Sequence, residues 1–514
     1  MSLAVMLIAS STAQALGIVA ALAVQMVCLG FLLCRALNFE SEDTLISFAI
    51  ICGAGAGLFG FAMFALGYCN AWNRETFLIS TAVASLILTW QAKHLTALLR
   101  GSLQIFKAEW QGHPNKWLWI LAAITASISA ISCLRPTTGY DERAYHWPAP
   151  LMWAAQHHWA VSPYRFMNGP SLIELLYIPG ALFQNLTSGH LTNFLIWLIL
   201  LINCVALARL LQTPLLPVLA AVIACPVVTT QSSVMMNDLG ASTFVCSAMV
   251  ALFTLRASNN KLKTALMASI ILSAALSAKA PFALAVLPVM LAYLLVGVPN
   301  SARKKPETVA IFLAPLSLIA VLWLAHTYCL IGHPIDLPIQ TIWSGTEAQN
   351  QACPQNIAPN LAGYPSLKRT GVMLLAPIAT WLIGNQEPYG GRTGLIIPIF
   401  LAAFMWTSWQ NRRTDRNTVH WWLLANSTVY FAGVGMFVIR TRYHMIVWII
   451  WSVLAGVGYS TLRRNLHGKK LTALTATFSL LAALSCADSW RTMLQWQENT
   501  SSAHILPQLN CLNL

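Results

Sequence analysis

Fourteen long runs of apolar residues, separated by polar connectors, restrict the fold of this chain more than any other feature. Runs of about 17 to 25 apolar residues match the hydrocarbon thickness of a bilayer. They are too long and too unbroken for barrel strands, and backbone groups in hydrocarbon must hydrogen-bond within their own segment. With 57% hydrophobic and 9% charged residues and a mean hydropathy of +0.63, the sequence predicts an all-α, polytopic integral membrane protein of about 14 transmembrane helices.

One further apolar run, 370–383, is too short to cross a bilayer. We interpret it as a re-entrant or surface helix within a long loop, 331–393. The expected spans lie near residues 12–34, 44–69, 76–99, 117–134, 191–211, 214–230, 238–256, 264–279, 281–298, 308–330, 394–410, 419–438, 444–462 and 470–487.

These spans divide the chain into three parts. Residues 1–116 form an N-terminal extension of three spans, and residues 466–514 form the last span and a polar tail. Between them, residues 117–465 form a membrane core whose two long loops are 135–190 and 331–393.

The distribution of basic residues orients the spans. Nineteen of the 30 lysines and arginines fall in short loops on one face, as expected for the cytoplasmic side. Making 370–383 a full span would place the basic connectors NRRTDR and RRNLHGKK outside. The formal net charge of +14 therefore reflects membrane topology and does not indicate nucleic-acid binding. Both long loops and both termini are predicted to lie outside the cell or in the periplasm, and the membrane to be the inner or plasma membrane.

The other eleven basic residues lie on the predicted outer side, several of them at span ends. Few are expected there unless an anion binds, and a phosphate is the obvious candidate. Arg440 and Arg442, followed by Tyr443, occupy one short outer connector, and Lys279 lies in a tight outer hairpin. One guanidinium group can donate two parallel hydrogen bonds to phosphate oxygens, whereas an ammonium acts as a point charge. The alternative is that these residues are anchors that reach lipid phosphates.

The twelve cysteines are scattered, mostly within apolar runs, without a CxxC pair or a Cys/His spacing typical of zinc. We interpret them as small buried hydrophobic residues. Cys353 and Cys511 fall in outer polar stretches, where a disulfide could form. The N-terminus has no basic segment and no cleavage site, so we expect it to be retained within the first span.

The first long outer loop carries an acidic pair, Asp141 and Glu142, a few residues beyond a span. The aromatic residues that follow, from Tyr145 to Trp159, are typical of an amphipathic helix at the membrane interface. A second short helix is expected after Asn168-Gly169-Pro170, with Glu174 in its first turn. Glu174 could then face the same pocket as Asp141.

A third acid, Asp238, lies at the outer mouth of another span, where a carboxylate is costly unless it has a partner. Convergence of these outer acids predicts a functional site, with Asp141, Glu142 and Asp238 as the catalytic candidates. Arg143, Tyr145 and His146 follow the acidic pair and are placed to bind a substrate, with His146 able to stack on or hydrogen-bond a sugar. The alternative is that the loop acids are simply solvated.

Five segments in this order resemble the GT-C superfamily of polyprenyl-phosphate-sugar-dependent glycosyltransferases: YDERAYHWPAPLMWA, NGPSLIELLY, NDLG, LSAKAPFALAVLP and RTRYH. They are most similar to the bacterial branch related to protein O-mannosyltransferases and the lipid A aminoarabinose transferase, over residues 117–465. The three earlier spans have no counterpart in that pattern. His444-Met445 also stand where family members commonly have a proline after the late Arg-Tyr.

The resemblance implies a GT-C-like core in which Asp141 is the catalytic base and Asp238 is a second acid of the site. Its substrates would be a polyprenyl-phosphate-linked sugar and a lipid, glycan or protein acceptor. Transfer to a hydroxyl needs one base and cationic groups for the departing phosphate, and attack from the opposite face inverts the anomeric centre. No cofactor is certain. A divalent ion between Asp141, Asp238 and Glu174 is an alternative that oxygen-ligand chemistry allows.

Two other functions fit the same charges. A transporter or flippase of a lipid-linked or anionic solute also uses Arg and Asp at span mouths, but typically has charges at the bilayer midplane and paired half-repeats. A glycan polymerase or ligase of another fold also uses Arg-rich outer loops. The acidic pair directly after a span favours the transferase.

Overall fold

The computed structural model describes residues 3–39, 41–113, 115–137, 141–162, 167–256, 258, 260–297, 305–333, 393–394, 396–410, 418–435 and 444–495. Within these ranges the chain is helical and contains no β-strand. The predicted all-α class is therefore confirmed for the described residues. The segment 370–383, most of the loop 331–393, and Cys353 and Cys511 lie outside them.

Most consecutive helices are joined by short connectors, whereas residues 133–147, 157–171, 293–304 and 332–395 separate their helices by longer stretches. The first nine are α1 (Leu3–Ala36), α2 (Thr44–Tyr68), α3 (Arg74–Trp90), α4 (Ala92–Gly112), α5 (Trp117–Ser132), α6 (Pro148–Gln156), α7 (Leu172–Leu176), α8 (Ile178–Leu182) and α9 (Leu186–Leu210). The next ten are α10 (Leu215–Ile223), α11 (Pro226–Thr229), α12 (Asn237–Phe253), α13 (Lys261–Ala278), α14 (Ala280–Ala292), α15 (Lys305–Ile331), α16 (Ile396–Gln410), α17 (Thr418–Gly435), α18 (Met445–Asn465) and α19 (Gly468–Gln495).

Eight helices in the described ranges are long and apolar enough to cross a bilayer, or nine if one bent pair counts as a single span. Shorter apolar helices occupy three further predicted spans, at α5, α12 and α16. The chain therefore has the helices of an integral membrane protein, and the total of fourteen spans stays a prediction.

Two predicted spans differ from the structure. The run 76–99 is not one helix, because α3 ends at Trp90 and α4 begins at Ala92. Lys93 and Arg100 on α4 explain the break, since charged side chains are costly in hydrocarbon. The run 214–230 bends by 76° between Leu215–Ile223 and Pro226–Ser233. Pro226 supplies no backbone N–H to continue the first helix and restricts the residue before it.

Contacts between connectors fall into two groups, one at each end of the bundle. At one end, Arg209 pairs with Asp43 at 2.7 Å and Glu109 accepts the backbone N–H of Leu216 at 3.3 Å. These connectors are the ones that the basic residues assign to the cytoplasmic side, so we call this the inner end.

The opposite group joins the connectors that were predicted to lie outside, and we call it the outer end. Asn185, just before α9, donates to Gln14 near the start of α1 at 3.0 Å. The side chain of Arg135 donates to the carbonyl of Met493 at the end of α19. Segments far apart in sequence therefore meet on the same end, as alternating spans require.

Helix α2 lies in the interior of the bundle and packs against α1, α9, α12 and α13. Its close approach to α1 depends on small residues, because a Cβ at Gly55 would lie 1.8 Å from the carbonyl oxygen of Met26. A Cβ at Gly60 would meet Leu172 of α7 at 2.6 Å. Glycine at such positions lets membrane helices approach closely, and here it also seats the outer loop on α2.

Candidate active site

The first outer loop enters the bundle at Asp141 and continues through a single π-helical turn, Glu142–His146, before Pro148 begins α6. Glu142 and His146 are buried, at 1% and 2% exposure, whereas Asp141 is half-buried. Residues four apart on a helical turn lie on one face. The turn therefore directs Glu142 and His146 into the protein.

Arg143 and Tyr145, on the other positions of the same turn, are half-buried. The ring of Tyr145 lies against that of His146, with centroids 4.4 Å apart. The predicted substrate-binding residues of this segment thus surround the acidic pair, which is where the sequence placed them.

Glu142 joins three segments of the chain. Its Oε1 lies 2.5 Å from Nε2 of His190, at the start of α9, and accepts the backbone N–H of Met235 at 3.0 Å. Nδ1 of His190 is 3.2 Å from the carbonyl oxygen of Cys133. Because a carbonyl oxygen only accepts, Nδ1 carries a hydrogen, and Nε2 faces the carboxylate of Glu142.

A second buried pair lies beside the first. Nδ1 of His146 is 2.7 Å from Oε1 of Glu174, and both side chains are at most 2% exposed. Glu174 is in the first turn of α7, as predicted. Its other oxygen, Oε2, is buried and has no hydrogen-bond partner among the residues that the structure describes. A carboxylate oxygen in that state strongly favours a proton or a donor.

Tyr177 lies between α7 and α8, where its hydroxyl donates to Oδ1 of Asn193 at 3.2 Å. Burial, together with the nearby carboxylates of Glu174 and Glu142, raises the pKa of Tyr177 well above its usual value. The phenol therefore stays neutral and acts as a donor, because a phenolate would repel both acids.

The third acid, Asp238, is in the first turn of α12 and is 2% exposed. It pairs with Lys279, which lies between α13 and α14. The ammonium of Lys279 is also 3.4 Å from Oδ1 of Asn237 and 5.5 Å from the ring centroid of Phe282. The pairing supplies the partner that a buried acid at a span mouth requires, and it joins the predicted phosphate ligand Lys279 to the predicted acid Asp238.

The aromatic residues of the loop do not lie where the sequence predicted. Trp153 and Trp159 are 0% and 7% exposed, so they do not form an interfacial face. Their rings pack against each other at 4.9 Å, and both contact Trp72, at 6.2 and 5.0 Å. This cluster fixes α6 against the connector between α2 and α3.

The hypothesis of a divalent ion finds no geometric support. Among the described residues, no three His, Cys, Asp or Glu side chains come together as a set of metal ligands. Glu174 is bonded to His146 and Asp238 to Lys279. Asp141, Asp238 and Glu174 are therefore not gathered around an ion in this structure.

Three predicted binding residues, Arg440, Arg442 and Tyr443, lie outside the described residues. The residue that follows them, His444, is buried. Its ring lies 6.3 Å from that of Tyr430, which contacts the ring of Phe282 at 5.5 Å.

Sequence reasoning missed His190 and the backbone N–H of Met235. In the sequence, His190 is only the last residue before a predicted span. A lone histidine in a polar segment has no pattern that links it to an acid 48 residues earlier. The one available signal was its position, since a titratable side chain at a predicted outer span mouth needs a partner.

No family model matches the chain, and no curated protein matches it. Among solved structures, the chain is similar to the archaeal oligosaccharyltransferase AglB from Archaeoglobus fulgidus, solved in complex with an inhibitory peptide and a dolichol-phosphate. The TM-score is 0.42 and the sequence identity 13%. The alignment covers 73% of this chain and 55% of that one, so the chain spans about half the length of that enzyme.

Proposed function

We propose that this protein is a GT-C-like membrane glycosyltransferase that moves a sugar from a polyprenyl-phosphate donor to an acceptor hydroxyl on the extracytoplasmic face. One observation carries the proposal. At the outer end, Glu142, Glu174 and Asp238 come from three separate segments, and each is buried with a partner. Asp141, beside them, is half-buried, and a half-buried acid can reach a substrate.

In the proposed reaction, the carboxylate of Asp141 takes the proton of the acceptor hydroxyl as its oxygen attacks the anomeric carbon. The bond from that carbon to the phosphate oxygen breaks, and its electron pair leaves with the polyprenyl phosphate. Attack opposite to the leaving group inverts the anomeric centre. A phosphate is already a good leaving group, so one base together with cationic stabilisation is sufficient.

The other catalytic candidate of the sequence, Glu142, has a different role in this proposal. Its Oε1 already receives two contacts, and the side chain is 1% exposed. We assign it as a positioning residue. It anchors the turn Glu142–His146, and Asp141 directly precedes that turn in the chain. Asp238, paired with Lys279, holds that ammonium in place.

Lys279 is the proposed charge-neutralising group for the departing phosphate, with Arg440 and Arg442 as the orienting groups. Phe282 and Tyr430 support this arrangement, because they connect the surroundings of Lys279 to His444 by ring contacts. His444 directly follows the segment Arg440–Tyr443 in the sequence. Buried cations beside a leaving phosphate act strongly because little water screens them.

A transporter is disfavoured by where the charges lie. In the described spans, charged side chains occupy the first or last turns of the helices, as Arg209, Asp238 and Arg463 do, and on α19 they lie near either end. Transporters of this kind couple substrates through sites near the midplane.

The test is the substitution Asp141→Asn, which keeps size and hydrogen bonding but removes the proton acceptor. We expect turnover to fall about 10² to 10⁴-fold. Cells that lack the protein are complemented with each variant, and their glycolipids and glycoproteins are profiled by mass spectrometry. Glu75→Gln, an exposed acid at the outer end, is the matched control and should restore the missing product. Restoration by Asp141→Asn at the parental rate would refute the assignment.

A further inference from the structure

A narrow groove runs between α1, α2 and α3, away from the acidic cluster. Its cavity volume is about 300 Å³. Along α3 its lining extends from Asn73 to Ile87, which is about 21 Å of helix at 1.5 Å per residue. A cavity so long for its volume fits one extended chain and excludes a compact ligand.

The interior of the groove presents mostly apolar surface to a ligand. Gln25 donates to Thr81 at 2.7 Å and accepts from Ser80 at 3.1 Å, and Oδ1 of Asn73 accepts the backbone N–H of Thr76 at 2.7 Å. Most of the remaining lining is apolar, with Phe59 and Phe77 among its larger side chains. An occupant therefore needs no hydrogen-bonding groups along its length, and it gains free energy from each methylene buried.

The outer end of the groove carries a positive charge. Arg74 is exposed, and its Nε donates to the carbonyl of Leu182, a lining residue, at 2.7 Å. Its guanidinium lies 5.2 Å from the ring centroid of Phe183, so these two contacts hold it at the mouth. Glu75 is the next residue, but its side chain points in a different direction from that of Arg74, because adjacent helical positions lie about 100° apart. A basic residue is also unexpected on this side of the membrane.

We propose that the groove binds the hydrocarbon chain of a lipid whose phosphate lies at Arg74. The apolar length takes the chain, and the guanidinium takes the phosphate oxygens. The occupant is an anionic phospholipid of the bilayer, because the apolar lining of about 21 Å is longer than the roughly 15 Å hydrocarbon depth of one leaflet and so accommodates a whole acyl chain. The site does not depend on the proposed reaction, because it lies in the three N-terminal spans.

Photo-crosslinking in nanodiscs tests the proposal without an activity assay. p-Azidophenylalanine replaces Phe77, which is 5% exposed in the groove, and in a matched control replaces Ile79, which is 64% exposed on the same helix. The nanodiscs contain phosphatidylcholine with a minor share of either phosphatidylglycerol or undecaprenyl phosphate. Lipid adducts are identified by mass spectrometry, and the better-enriched probe identifies the source of the chain.

At position 77 we expect phosphatidylglycerol, the anionic phospholipid, to be enriched roughly tenfold over its share of the bilayer, whereas position 79 should sample the bilayer composition. Enrichment of undecaprenyl phosphate but not of phosphatidylglycerol would overturn the assignment to a bilayer phospholipid. Ala84→Phe fills the groove and should abolish the adduct at position 77. Leu86→Phe, at an exposed position of α3, should leave it unchanged.

Arg74→Gln should keep the yield of adduct but remove the preference for the anionic probe. This variant keeps the proposal testable if Ala84→Phe does not fold. Identical adducts at positions 77 and 79 would overturn the proposal, as would a protein–protein crosslink at position 77 in place of a lipid adduct.

Discussion

The two ends of the bundle use histidine in opposite ways. At the outer end, His146 and His190 each lie against a buried glutamate. At the inner end, buried His113 lies 3.3 Å from Arg463 through Nε2, and its Nδ1 accepts the backbone N–H of Asn115. The outer end therefore places its buried histidines beside acids, whereas the inner end places its buried histidine beside a cation.

Ion pairs differ between the ends in the same way. Asp238 is 2% exposed and Lys279 20%, whereas Asp43 is 17% and Arg209 43% exposed at the inner end. Exposed pairs contribute little because water screens them, but one charge left alone in a buried pair is costly. This difference agrees with the proposal that the outer end holds the functional site.

The largest expected effect comes from removing one partner of the outer pair. Lys279→Met leaves Asp238 buried without its cation and should cost about 3 to 5 kcal/mol of stability, measured as thermal unfolding in detergent. Arg209→Met, the inner control, should cost less than about 1 kcal/mol. Adding Asp238→Asn to Lys279→Met should restore most of the loss. Equal losses of stability for Lys279→Met and Arg209→Met would mean that the ion pairs at the two ends do not differ in their contribution.

A smaller effect separates two glutamates that each accept a backbone N–H. Glu142 accepts from Met235 and also contacts His190, whereas half-buried Glu109 accepts from Leu216 at the inner end. In Glu142→Gln the neutral amide oxygen is a weaker acceptor than the carboxylate for both contacts, so we expect a loss of about 1 to 3 kcal/mol and faster hydrogen exchange around Met235. Glu109→Gln should change neither measurement. Unchanged exchange in Glu142→Gln would mean that the carboxylate does not join these segments.

The smallest effect is the pH dependence of the inner histidine. Burial, and secondarily Arg463, lowers the pKa of His113 to about 4 from 6.5. Between those values the unfolded state binds the proton first, so stability falls as the pH falls from about 6.5 to 4. The loss from pH 7 to about pH 5 should be about 1 to 2 kcal/mol.

The measurement is the thermal midpoint as a function of pH. His113→Asn keeps an acceptor for the N–H of Asn115 and should flatten this part of the curve. His94→Asn, at an exposed position of α4, is the control and should leave the curve as it is. A parental slope in His113→Asn would assign the pH dependence to other groups.

The sequence predicted what local pattern and bilayer physics determine. Apolar runs located the helices, and basic residues sorted their connectors into the two groups that the structure brings together. The runs could not show that α3 ends at Trp90, since apolar residues continue beyond it to Leu99. They also could not show the bend before Pro226, because a proline near the end of a run does not specify an angle.

The sequence indicated the acids of the candidate site but not the residues that contact them. Asp141, Glu174 and Asp238 were recognisable as acids beside predicted span ends. The pairings of Glu142 with His190 and of Glu174 with His146 depend on how α7 and α9 pack, which no local spacing encodes. Trp153 and Trp159 were assigned to the interface because their chemistry suits it, and packing against Trp72 instead buries them.

The interior position of α2 has a consequence for how the chain is made. Its glycine-rich face is covered by α9, α12 and α13, which are synthesised long after α2 has entered the membrane. Until they arrive, α1 and α4 are the helices that pack against α2, and the close contact at Gly55 lets α1 and α2 form a hairpin at once. Lipid must occupy the remaining face and be displaced later. The first two helices thus form a surface on which the later helices pack.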